Sequence, residues 1–262
     1  MRYMGIDIGG SLAKIVETDE SGNITDTQLI KPDKTSELNN LIRKGALAGR
    51  VCITGIGAGR VDAKGLPVVT CHEFECFGRG AAKLCGGDID CAVVCSMGTG
   101  TAFVRADNGE YSYMGGSGIG SGTVTGLGDR LIGVESQRRI AKMALAGHRE
   151  NVNLTVGDIA HGTTEGLDPL ITASNFGKTG ICSGEDTAAA IINMVAEGIG
   201  VMAAFACKGT DIENVIFVGG MTAFECVRNT LKNVNVLHPE LNFLIPDRGI
   251  YAGAYGAALS IQ

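Results

Sequence analysis

The chain of 262 residues contains no C-x-x-C pair, no run of basic residues and no continuous apolar stretch approaching the ~20 residues that cross a bilayer. Each absence removes a class of function. Nine cysteines stand at 52, 71, 76, 85, 91, 95, 182, 207 and 226, an odd number without zinc-ribbon spacing. Reduced thiols are therefore expected, with Cys52, Cys95 and Cys207 acting as small core residues inside apolar runs. The group Cys71, Cys76, Cys85 and Cys91 leaves a metal or iron–sulfur reading open. A formal net charge of −6 without a basic run argues against nonspecific nucleic-acid binding. Met1-Arg-Tyr-Met leads into a strand pattern instead of a signal-peptide core, so a cytoplasmic protein with no membrane partner is expected.

What the chain has in quantity is glycine, 40 residues clustered where apolar runs end. The opening, Met4-Gly-Ile-Asp-Ile-Gly-Gly-Ser-Leu-Ala-Lys-Ile-Val-Glu17, sets Asp7 near a strand end and Gly9 and Gly10 where a turn with φ > 0 is permitted. Ser11 and Lys14 follow as the chain re-enters an apolar strand. Backbone N–H groups in such a turn can face phosphate oxygens, and Asp7 can hold a hydrated Mg²⁺. A plain β-hairpin with a solvated lysine would read the same way. Three further glycine-rich junctions add weight, at residues 92–101, 114–123 and 215–221. A backbone that wraps closely around phosphates cannot carry Cβ atoms there. Ser96, Gly98, Thr99, Gly100 and Thr101 form one candidate phosphate turn, Gly118, Gly120, Ser121 and Gly122 a second, and Gly219 and Gly220 a nucleotide contact.

Alternation predicts strands at residues 3–8, 12–18, 24–30 and 50–54, with an amphipathic helix at 36–44. A helical Gly/Ala-rich segment follows at 77–85, then strands at 90–96 and 100–105 and helices at 124–131, 135–146 and 185–207. The last of these is the longest and most apolar, as expected of a helix buried between lobes. The closing helix, 249–259, carries Gly249, Gly253 and Ala257 four apart, a face that permits close backbone approach beneath a nucleotide site. This organisation suggests two lobes, 1–88 and 89–262.

Two strand-rich units with glycine turns at a cleft resemble the acetate and sugar kinase, Hsp70 and actin superfamily. The segments GIDIGGSLAKIV, HEFECFGRG (72–80), CSMGTGTAF (95–103), GGSGIGSGTVTGLG (115–128), ITASNFGK (171–178) and VIFVGGM (215–221) are similar, in order, to those of type II pantothenate kinases. The likeness runs from Met4 almost to the last residue. It implies an α/β, two-lobed actin-like ATPase fold of ribonuclease H-like halves, with the nucleotide in the interlobe cleft. It further implies ATP and Mg²⁺ as cofactors, a small alcohol as acceptor, and a homodimer. Glu73, in Cys71-His-Glu-Phe-Glu-Cys76, matches the position of the family's catalytic base, although a carboxylate that stabilises a helix N-terminus would look alike. Glu75 reads as a supporting residue, and His72 receives no catalytic role. Asn175 and Phe176 match a segment near the substrate and the dimer partner, and Gly115 and Gly116 fall beside the acceptor. At Ser96 many hydrolysing members of the superfamily carry Asp to prepare a water, so transfer to an alcohol is favoured over hydrolysis.

One stretch departs from the pattern. Where bacterial members carry an arginine just before the glycine loop, resembling a clamp for the pantothenate carboxylate, this chain reads Ser112-Tyr-Met-Gly-Gly116. Tyr113 offers one neutral hydroxyl in place of a bidentate guanidinium. Either Arg79 or Arg105 reaches the carboxylate from another direction, or the acceptor is uncharged, such as pantetheine. A noncatalytic nucleotide- or coenzyme A-binding protein is the alternative from a different class, and an ATP-driven activator of an iron–sulfur enzyme a third.

Overall fold

A computed structural model describes residues 2–31, 33–63, 65–87, 89–160 and 166–262. The first half begins with strands β1 (Arg2–Ile8), β2 (Ala13–Thr18) and β3 (Ile24–Ile30), whose alternating apolar residues form a meander. Helix α1 (Thr35–Ala48) crosses over to β4 (Gly49–Thr54) and then β5 (Val68–Thr70), both parallel to β1. Helix α2 (Glu73–Leu84) leaves this sheet, which has the order β3-β2-β1-β4-β5. The second half repeats the plan. Strands β6 (Cys91–Met97), β7 (Thr101–Asp107) and β8 (Glu110–Ser117) form the meander, followed by α3 (Ser121–Ile132) and α4 (Gln137–Ala144). A small excursion carries β9 (Leu154–Thr155), α5 (Val156–Ala160) and β10 (Thr172–Ser174). Helix α6 (Gly184–Cys207) then returns the chain to β11 (Asn214–Val218), α7 (Glu225–Val236), β12 (Asn242–Leu244) and α8 (Ala252–Leu259). The second sheet, β8-β7-β6-β11-β12, has the connectivity of the first.

Burial follows the strand period. On the outer face of the first sheet, Ile6, Ile8, Ile15 and Ile53 pack against Leu38 and Ile42 of α1. On the outer face of the second, Val93, Cys95, Met97 and Phe217 meet α6 and α7 through Ile191, Val195, Ile199 and Leu231. The inner faces enclose α2 and α8, which exchange partners. Helix α2 follows the first sheet but buries Phe77 and Ala81 against Val94, Val104 and Ile216 of the second. Helix α8 follows the second sheet and buries Ala254 and Ala257 against Val16 and Cys52 of the first.

The two helices cross with no room for side chains. A Cβ on Gly80 would lie 1.9 Å from the Ala252 carbonyl oxygen, and one on Gly256 would lie 1.7 Å from that of Cys76. Gly5 on β1 meets the Ala254 carbonyl at 1.9 Å in the same way. The face expected from Gly249, Gly253 and Ala257 is not the one used: the close contact runs through Ala252, Ala254 and Gly256, while Gly253 lies against the Asp7 carboxylate; residues 249–251 form a 3₁₀ turn and α8 proper begins at Ala252.

Helix α6 has the length and apolar composition to cross a bilayer, against the expectation that no stretch would, but most of it is buried as the axis of the second outer layer. Helix α2 starts at Glu73, earlier than the expected 77, and strand β8 absorbs Tyr113, Gly115 and Gly116, which had read as loop. The expected division after residue 88 falls between the two sheets, and residue 88 lies outside the described residues.

Steric crowding at the α2–α8 crossing gives a stability test. Gly80→Ala and Gly256→Ala are each expected to lower unfolding free energy by ~3 kcal/mol or more, at or beyond the usual cost of overpacking, because the obstructing atoms are backbone. Gly198→Ala, within α6 with nothing near its Cβ position, should instead gain ~0.5–1 kcal/mol. Urea midpoints of the three variants check both signs.

Candidate active site

Strands β1 and β2 end in a tight turn closed by the Gly9 N–H donating to the Leu12 carbonyl at 3.1 Å. Neither Gly9 nor Gly10 has positive φ, so the expected left-handed turn is absent. Space constrains the first of these glycines and leaves the second open. A Cβ on Gly9 would meet Lys14 Nζ at 3.0 Å, and one on Gly10 would face Thr99 Oγ1 at 3.5 Å on the opposite hairpin. Across the gap, Ser11 Oγ and Thr99 Oγ1 are 3.4 Å apart, so the hairpin tips of the two sheets nearly touch.

Asp7 and Lys14 are cross-strand partners in the β1–β2 register, and their mostly buried side chains pair at 3.1 Å. Two glycines wall the carboxylate. Gly55, at φ +93°, would place a Cβ 2.6 Å from Asp7 Oδ1, and Gly253 would place one 2.8 Å from Oδ2. Glu73 is the first residue of α2, after the extended His72. Burial lifts its carboxyl above the ordinary carboxylate value, and the charge of Asp7 adds to the shift, while Lys14 and then His72 oppose it.

The second sheet supplies the glycine loops. Gly98 donates to the Gly100 carbonyl at 2.9 Å, and the first residues of α3 are tied to this turn by Ser121 N–H donating to Gly98 O and Gly122 N–H to Thr99 O, both at 2.9 Å. Gly120 and Gly100 are crowded, with Cβ positions 2.6 Å from Thr99 O and 2.7 Å from Ser117 O, whereas Gly118 and Gly220 have nothing within 4 Å. Crowded glycines knit the loops together, and open ones leave backbone bare to a ligand. Gly219 combines φ +98° with a Cβ position 2.6 Å from Met97 O, which reproduces Gly55 against Ile8 O at 2.6 Å in the first half.

These residues enclose a cleft of about 520 Å³. Asp7, Gly9, Gly10, Ser11, Lys14, Glu73, Ser96, Gly98, Thr99, Gly100, Thr101, Tyr113, Gly116, Gly118, Ser121, Gly219 and Gly220 all line it. Gly115, expected beside the acceptor, and Gly120 and Gly122, expected at the phosphates, do not line it, and the Ser121 and Gly122 N–H groups are engaged by the Gly98 and Thr99 carbonyls. Thr101 is buried, its hydroxyl donated to Ile119 O at 2.9 Å. Asn175 and Phe176 lie outside the cleft. Asn175 belongs to a polar cluster with Asn153, Asn193 and Glu197, while Phe176, at φ +56°, packs on the second outer core. Sequence reasoning missed Gly55 and Phe74, and placed Gly253 only in a packing stripe. It also missed Gln137, which lines the cleft and donates to Thr125 Oγ1 at 3.1 Å; its position at the start of α4 carries no local signal.

Cys52, Cys71 and Cys76 meet near Ser260 beneath this site, with Cys71 Sγ 3.0 Å from the Ser260 hydroxyl. Cys85 and Cys91 pack in other clusters, so the four cysteines close in sequence do not converge, and among the described residues no three or more His, Cys, Asp or Glu side chains gather to hold a metal ion. Tyr113 stacks on Phe74 with ring centroids 4.4 Å apart and planes 9° from parallel. A bulge in β8 at Met114, where Phe103 pairs with Gly115 but Val104 with Tyr113, turns the strand at this point.

The charges around Glu73 make its titration a direct readout. In ¹³C-carboxyl NMR, Lys14→Met should raise the Glu73 midpoint further and Asp7→Asn should lower it, with wild type between. An unchanged midpoint in both variants would show that these groups do not share one cleft.

The geometry can be compared with known proteins. The Fumble family model matches residues 88–244. The type II pantothenate kinase of Oceanobacillus iheyensis is 29% identical over 99% of this chain and 100% of its own length, and that of Bacillus anthracis 26% identical over 98% and 96%. Among solved structures, the activator of 2-hydroxyisocaproyl-CoA dehydratase from Clostridium difficile, with bound ADPNP, superposes with TM-score 0.66 at 16% identity over 99% of this chain and 94% of that one. A ROK family glucokinase from Streptomyces griseus, in complex with glucose and AMPPNP, gives 0.64 at 15% identity over 99% of both chains. These two establish the actin-like kinase fold and nothing finer. With two similar half-sheets, a glycine-lined cleft between them and a family match over more than half its length, the chain belongs to the Fumble family of type II pantothenate kinases.

Proposed function

We propose that the protein transfers the γ-phosphoryl group of ATP to the terminal hydroxyl of pantothenate or a closely related small alcohol, a step of coenzyme A biosynthesis. The observation that carries this reading is the placement of Glu73, a carboxylate with raised proton affinity, in the same cleft as Asp7, Lys14 and the open glycine turns. Phosphoryl transfer is mostly positioning and charge stabilisation, and this cleft has parts suited to both.

Bare backbone at Gly10, Gly98, Gly118 and Gly220 lets phosphate oxygens approach closely, with the hydroxyls of Ser11, Ser96 and Thr99 nearby. Lys14 offsets charge that builds on the transferred group. Glu73 takes the proton of the acceptor hydroxyl as the new P–O bond forms, and its elevated pKa makes the ionised form a better base. Asp7, a hard oxygen donor held rigidly by Gly55 and Gly253, fits a hydrated Mg²⁺. When bound, that ion would neutralise phosphate charge. Position 96 is Ser, which leaves water without a carboxylate to activate it from that strand end and favours an alcohol as acceptor.

The same reading includes a cytoplasmic enzyme acting as a homodimer. Asn175 and Phe176, outside their own chain's cleft, are the segment we assign to the neighbourhood of the second copy. A pure nucleotide sensor needs no base, so the retention of Glu73 beside Asp7 favours the enzyme.

Glu73→Gln is expected to lower phosphoryl transfer by ~10²-fold or more while ATP binding stays near wild type, the usual consequence of losing a positioned base. Calorimetric ATP binding and a coupled ADP assay measure the two halves; full activity would remove Glu73 from the mechanism. Asp7→Asn should weaken use of Mg·ATP and recover partly at higher Mg²⁺, which Glu73→Gln should not.

A further inference from the structure

The charge distribution along the cleft separates its two ends. Among the described residues lining it, Lys14 is the only cationic side chain. Its Nζ is committed to the hairpin end, 3.1 Å from Asp7 Oδ2 and against Gly9, where phosphates would lie. Neither arginine considered from sequence supplies a second cation. Arg79 stands with its guanidinium 5.6 Å from the ring centre of Tyr111, and Arg105 is bound to Asp107 at 2.8 Å, both outside the cleft.

Beside Gly116 the wall is aromatic, and His72 stands outside the lining with its ring 5.1 Å from that of Phe74. Tyr113 and Phe77 line the cleft, and Phe74 backs the Tyr113 ring in a parallel stack. A Cβ on Gly116 would come 2.8 Å from the Tyr113 hydroxyl, so that oxygen lies along the bare Gly116 backbone at the cleft wall. Tyr113 remains about half exposed, 52%, and lines the cleft. The charged groups nearest in function are Glu73 and Asp7, both anions.

We infer that the acceptor of this enzyme is an alcohol whose far end is a neutral amide, and that Tyr113 with Phe74 selects it over the carboxylate form, pantothenate. The inference rests on the kinase reading given above and specifies its acceptor. A carboxylate placed against Tyr113 would lose water without gaining a cation. An amide loses no charge on entry. It can exchange one hydrogen bond with the Tyr113 hydroxyl and lay its plane against the aromatic wall.

The test compares kcat/KM for pantothenate and for its carboxamide, in wild type, Tyr113→Arg and Tyr113→Phe, with thermal midpoints to confirm that the half-exposed position tolerates both changes. Wild type is expected to favour the carboxamide by ~10-fold or more, mainly through KM, the scale of one uncompensated charge or hydrogen bond. Tyr113→Arg should reverse the order by providing a guanidinium for the carboxylate. Tyr113→Phe keeps the stacked ring and should lose several-fold on the carboxamide alone. A wild-type preference for pantothenate, with Tyr113→Arg making no difference to it, would overturn the inference while leaving the kinase reading standing. Turnover of neither compound would overturn both.

Discussion

The closest constraint in the molecule is the meeting of β1, α2 and α8 at backbone distance. Gly5, Gly80 and Gly256 each stand where a single methyl group would penetrate a carbonyl of the neighbouring element. That contact fixes the separation of the sheets, because α8 lies on the first and α2 on the second. It also assembles the chemistry. Asp7 closes β1, Glu73 opens α2, and Gly253 on α8 presses against the Asp7 carboxylate. Separate these elements by a side chain and the two carboxylates no longer share a cleft.

The repeated topology explains why the cleft has matching walls. In each half, the first strand runs into a glycine-bearing hairpin, and the parallel strand beside it ends in a left-handed glycine, Gly55 or Gly219, under the same carbonyl contact. The halves differ where chemistry demands it. The strand-end position that holds Asp7 in the first half holds Ser96 in the second, so a strand-end carboxylate stands on one wall of the cleft and a hydroxyl on the other.

Electrostatics gives the cleft a direction. Burial raises the proton affinity of Glu73, the Asp7 charge adds to it and Lys14 opposes it, and Lys14 is the only cationic side chain among the described residues that line the cleft. The coupling of Asp7 to Lys14 depends on burial, since exposed charges at that separation would be screened.

Much of this was legible in the residues. Asp7, the glycine clusters and Lys14 could be placed at strand ends because apolar alternation stops there, and the first meander, with β6 and β7 of the second, was recognisable from period-two patterning. Short or irregular elements were not: β5, β8 with its bulge, and β12 carry too few apolar repeats to register. The expected positive φ at Gly9 and Gly10 was wrong because glycine signals either unusual torsion or lack of room, and sequence cannot separate the two. Asn175 and Phe176 resemble a segment near the substrate and the dimer partner, yet in their own chain Asn175 belongs to a polar cluster and Phe176 packs on the second outer core. The sequence by itself determined which residue types could meet phosphate, metal and proton, because those depend on local chemistry and spacing. Only the tertiary structure decided which glycines are open and which are packed, that Arg79 and Arg105 turn elsewhere, and that Phe74 backs Tyr113. Those outcomes depend on contacts between segments distant along the chain, which no local pattern encodes.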